Sequence, residues 1–137
     1  MTHRRARLLL IADALFLAVM GLFGLFSDLA SFNASAGPFG AMFANDPRVI
    51  GVVEAHGLAL IAGLAGLAAL RTSTATPRHW HAHFAAVHLL LGGANLAFFQ
   101  VFVMIGGTTG GIAVTAVHFA FAAAQLACLV RHRAPSV

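Results

Sequence analysis

Five ionisable side chains stand inside long apolar runs: Asp13, Glu54, His56, His88 and His118, accompanied by the amides Asn95, Gln100 and Gln125. A charged group at the centre of a bilayer costs about 2.5–3.5 kcal/mol even on insertion scales, so such residues face the protein interior and mark ligand sites or proton paths. Helical rise sorts them by depth. Measured from the outer ends of their runs, His56 lies about 10 Å and His118 about 9 Å deep, with Glu54 and Gln100 shallower and Asn95 near the middle. From the inner ends, Asp13, His88 and Gln125 each lie about 7–8 Å deep. Two polar layers result, with His56 expected opposite His118 and Asp13 opposite His88.

The outer pair has the chemistry of a cofactor site. Two imidazoles from facing helices can serve as axial ligands of haem b or hold a transition metal, and Gly57 and Gly63 would leave room for a flat macrocycle. His88 has no histidine at its expected depth. A small redox or ligand-binding membrane module is therefore the first expectation. The plainer reading is that the histidines only hydrogen-bond between helices, at about 0.6 kcal/mol each. A second function is a proton or small-solute pathway in an oligomer, with Asp13, His88, Asn95, His118 and Glu54 as a ladder, since histidine exchanges protons near neutral pH. A third is an accessory subunit of a larger membrane complex, contacted through small-residue ridges such as Ala116, Ala120, Ala124 and Ala127. No nucleophile–base motif or phosphate-binding loop is present, which leaves enzymatic activity as the least favoured reading. The run His79-Trp80-His81-Ala82-His83 offers a weaker metal pair, His79 and His83 one turn apart, with His3 and His132 available from the ends.

The elements that must carry these residues follow from composition. Of 137 residues 60% are hydrophobic and 9% charged, and there is no lysine. A soluble domain carries about 25% charged residues, so a soluble fold and a nucleic-acid binder are excluded despite the net charge of +4. Four runs reach the roughly 20 apolar residues that a bilayer core demands: about 8–27, 49–70, 79–105 (most apolar from His83) and 112–130. Their length and lack of alternation exclude β-strands. The expected fold is all-α, a single polytopic domain over 1–137 forming an up-down four-helix transmembrane bundle. Asp46-Pro47 and Thr76-Pro77 read as helix starts, and the glycine-rich stretch 106–111 as a tight reversal.

Arg4, Arg5, Arg7, Arg71, Arg78, Arg131 and Arg133 then flank one side of the membrane, which puts both termini in the cytoplasm of a plasma-membrane protein. Arg4-Arg5-Arg7 with the small residues Ala34-Ser35-Ala36 mimics a secretory signal, but the intervening apolar run is too long for one. The outer loop, 28–47, holds Phe32, Phe39, Met42 and Phe43 and no charge between its terminal aspartates. It is expected either to wet the headgroups or to fold over the bundle mouth. Cys128, the single cysteine, has no partner for a disulfide within the chain.

Overall fold

The computed structural model describes residues 3–72 and 78–131, which are mainly helical and include no strand. The chain runs through α1 (His3–Ala34), a short α2 (Gly40–Phe43), a 3-10 turn (Pro47–Val49), α3 (Ile50–Thr72), α4 (Arg78–Ala97), α5 (Phe99–Met104) and α6 (Thr108–Arg131). Three stretches are long and apolar enough to cross a membrane: His3–Ala34, Pro47–Thr72 and Thr108–Arg131. The second helix start read from the sequence, Thr76-Pro77, lies outside the described residues, as do His132 and Arg133.

The helices depart from the sequence-predicted bounds in ways that matter for the polar residues. The first does not end at residue 27 but continues to Ala34, so Asp28 is a helical, fully buried residue rather than the start of a loop. Apolar composition measures only what can lie in hydrocarbon, whereas a helix continues wherever packing and hydrogen bonds sustain it. The run 79–105 is interrupted at Phe98, between α4 and α5. This break lets α5 lean on α6, where a Cβ added to Gly111 would meet the Phe102 side chain. The reversal before α6 is shorter than the glycine run, because Gly110 and Gly111 already belong to the helix; Gly106, at φ +70°, makes the turn.

One geometric pattern organises the packing. The buried residues of α1 step through Leu10, Ala14, Leu17, Gly21, Gly24, Asp28 and Ser31. On α3 the corresponding row is Ala59, Gly63, Gly66 and Leu70; on α6 it is Gly111, Thr115, His118, Ala122 and Gln125. Alternating steps of four and three average 3.5 residues, the period of a left-handed supercoiled seam. α1 packs along α3 and α4 along α6, and α1 also touches both α4 and α6. Leu10, Ala14, Leu17, Ala59, Leu70 and Phe84 form the apolar core, with Trp80 packed against it.

The α1–α3 seam is close enough to require glycine. A Cβ on Gly63 would stand 2.5 Å from the Ala18 backbone nitrogen, and one on Gly21 would stand 2.5 Å from that of Leu60. Beyond the C-terminal end of α1, α2 folds back on that helix, and the Asn45 N–H donates to the Phe32 carbonyl over 3.1 Å. Asp46 caps the next turn by accepting from the Arg48 N–H at 2.9 Å. The same aspartate pairs with the Arg48 side chain, and these hydrogen bonds hold its carboxyl down at about 2.

Candidate functional site: a buried acid–histidine network

Polar residues of the helix seams come together as a single hydrogen-bonded chain drawn from three helices. Asp13 on α1, His81 and His88 on α4, and Gln125 on α6 are completely buried, and His118 on α6 retains 8% exposure. His88 Nε2 lies 2.6 Å from Asp13 Oδ1. The Gln125 side-chain amide donates to Asp13 Oδ2, and Gln125 Oε1 meets His81 Nδ1. On its other side, His88 Nδ1 lies 2.7 Å from His118 Nδ1. The order is therefore His81–Gln125–Asp13–His88–His118. Phe16 and Phe121 enclose its far end, with Phe121 stacked on His88 at 5.0 Å and Phe16 edge-on to His118 at 5.9 Å.

Donor and acceptor inventory fixes most of the hydrogens. An ionised Asp13 can only accept, so Gln125 presents its NH₂ to Asp13 and its oxygen to His81, whose Nδ1 must carry the proton. His88 likewise donates from Nε2. Between the two Nδ1 atoms of His88 and His118 there is room for one hydrogen, and either ring can own it. If His118 owns it, both imidazoles are neutral and the cluster keeps the charge of Asp13. If one proton is added, His88 becomes an imidazolium that donates to Asp13 and to His118 at once, and the cluster is neutral. Burial penalises an uncompensated charge, and one added proton would neutralise the cluster.

A second acid–histidine pair lies further along α1. His56 Nδ1 is 2.6 Å from Asp28 Oδ2; the aspartate side chain is fully buried and that of His56 is 34% exposed. Asp28 is fifteen residues beyond Asp13, about 22 Å at helical rise.

The structure brings Asp13 and His88 together but not His56 and His118. The expected outer pair is thus corrected: His118 sits at the level of Phe16 with its Nδ1 against that of His88, while His56 reaches the level of Asp28. The two levels differ by about 18 Å along α1. Depths counted from the ends of apolar runs inherit every error in those ends, and α1 runs on past residue 27. His88, expected to lack a histidine partner, has one in His118.

Several other polar residues stand apart from the network. Glu54 and Gln100 are exposed and Asn95 is half-buried, and none makes a side-chain hydrogen bond among the described residues. His79 and His83 are exposed and flank Trp80 at ring distances of 5.8 and 5.6 Å. Among the described residues no group of three or more His, Cys, Asp or Glu side chains is arranged to hold a metal ion. The alanine ridge of α6 turns outward: Ala116, Ala120 and Ala127 are exposed.

His81 and Asp28 are the members the sequence reading missed. Both carry a signal in their spacing. His81, His88 and Asn95 recur every seven residues, as do Gly21 and Asp28, which is the period of the seam. No protein-family model matches the chain, and no curated protein or solved structure is significantly similar to it.

Proposed function

We propose that this chain is a small integral membrane protein that takes up and passes protons through the Asp13–His88–His118 relay. The carrying observation is the approach of His88 Nδ1 to His118 Nδ1, 2.7 Å apart with room for one hydrogen between them, backed by a buried carboxylate at 2.6 Å. Such a pair moves charge by exchanging which nitrogen holds the proton, without moving either backbone. The proposed frame is a plasma-membrane four-helix bundle with both termini inside, α4 and α5 together making the remaining crossing. From Arg78 to Met104 they rise about 40 Å, and the arginines flank one side. This reading replaces a cofactor shared by His56 and His118, because those rings have different partners at different heights.

The test is proton flux in liposomes containing the purified protein. Flux should depend on pH and disappear in His88→Ala, while Asp13→Asn should slow it. A rate no higher than that of empty vesicles removes the proposal.

A second reading, assembly with further copies or with other chains, is favoured by Glu54 and Gln100, which remain exposed on apolar helices. An uncompensated carboxyl facing lipid is costly, so a neighbouring subunit would cover it. Purification in mild detergent should yield an oligomer or a stoichiometric complex; a lone monodisperse protomer counts against this reading.

A further inference from the structure

The Asp28–His56 pair has no place in the inner relay, and its geometry differs from it in one respect: it is open. His56 packs its backbone on Gly21 and lays its ring on Gly24, where any Cβ would overlap ring atoms Cγ, Cδ2 and Nε2. Its Nδ1 is taken by the buried Asp28 carboxylate at 2.6 Å. A carboxylate partner makes Nδ1 the protonated nitrogen and leaves Nε2 with a free lone pair. Nε2 makes no hydrogen bond among the described residues, and about a third of the side chain reaches the surface. Asp28 Oδ1 is buried without a hydrogen-bond partner, so the carboxylate's charge is only half compensated.

This is an oriented acceptor awaiting a donor. Around the pair Met20, Phe23, Val52, Val53 and Leu60 are apolar and Phe23 is 66% exposed; the polar neighbours on α1 are Ser27 and the buried Ser31, whose hydroxyl is engaged by the Ser27 and Ala36 carbonyls. Access is therefore through apolar surroundings, within a stretch apolar enough to lie in a membrane. A metal ion would want further donors, and the described residues supply no cluster for one. An anion would want N–H groups where this site has a lone pair. What fits is a lipid-soluble molecule with a hydroxyl donor. A phenolic hydroxyl donates more strongly than an aliphatic one, and its flat ring can lie beside Phe23. We infer that His56, oriented by Asp28, binds the hydroxyl of a membrane-soluble phenol of the quinol type. The site is about 22 Å from Asp13 along α1, so it stands or falls separately from the proton relay.

The experiment uses full-length protein with ¹⁵N-labelled histidine in lipid nanodiscs, titrated with 4-decylphenol and, in parallel, with its methyl ether. The phenol should shift the His56 Nε2 resonance saturably, leaving His88 and His118 unchanged, and the ether should not. Asp28→Asn should weaken the phenol effect at least tenfold, and His56→Phe, which keeps a ring on Gly24, should abolish saturable binding. Comparing the phenol with its ether in the wild-type protein needs no variant to fold. Absence of a saturable shift, an equal response to the ether, or purified protein carrying haem or stoichiometric metal on His56 would each overturn the inference.

Discussion

Asp13 illustrates why a buried carboxylate is retained where hydrocarbon would do. Each of its oxygens accepts from a different helix, His88 of α4 and Gln125 of α6, so it joins α1 to the α4–α6 pair through directional bonds. Removing it strands two donors with no water to take them. Asp13→Ala should cost about 3 kcal/mol, the penalty for leaving one side of a buried pair unmatched. Replacing all five members together, Asp13→Leu, His81→Leu, His88→Leu, His118→Leu and Gln125→Leu, should lose less than that single change, because no member of the network is then left without its partner. Reversible unfolding in mixed micelles measures both. A fivefold variant weaker than Asp13→Ala would show that these residues do not act as one unit. By contrast, Asp46, half-buried, and the exposed Arg48 form a surface pair that holds a turn and contributes little beyond it.

The helices are held by shape more than by apolarity, since lipid tails compete equally for apolar side chains. What lipid cannot reproduce is the backbone approach at Gly21 and Gly63. Gly63→Ala sets a Cβ against the Ala18 nitrogen and Ala14 oxygen, neither of which can swing aside. It should destabilise the protein by about 1–3 kcal/mol through overpacking. Gly57→Ala, at a position where the added Cβ meets nothing within 4 Å, should be neutral or stabilising by up to about 1 kcal/mol. The same unfolding assay checks the pair, and equal effects would mean that α1 and α3 are not packed as described. Gly24 has a different task, accommodating the ring of His56.

For the molecule as a whole, the proposed orientation has a direct measurement. In a Cys128→Ser background, single cysteines at Asn45 and Thr108 should react with a membrane-impermeant maleimide on intact cells. Those at His3 and His79 should react only after permeabilisation. Labelling of His79 and Thr108 from the same side would mean that α4 and α5 do not cross, leaving three spans. The composition already pointed to helices in a membrane, and three of the four expected runs are long and apolar enough for it.

Helical character and the faces of α3 and α6 could be read directly from the residues, because the row through His56, Ala59, Gly63 and Gly66, and that through Gly111, Thr115, His118 and Gln125, follow from local periodicity. The meeting of Asp13 with His88 followed from rough depth. The partner of His118 did not. Choosing between His56 and His88 requires knowing where α1 ends and how the α1–α3 and α4–α6 pairs are set against each other along their length. Those relations are made by contacts between residues far apart in the chain, such as Gly63 on Ala18 and Gln125 on Asp13. Spacing along one helix fixes direction around its axis, but height relative to another helix is decided only when the two have packed.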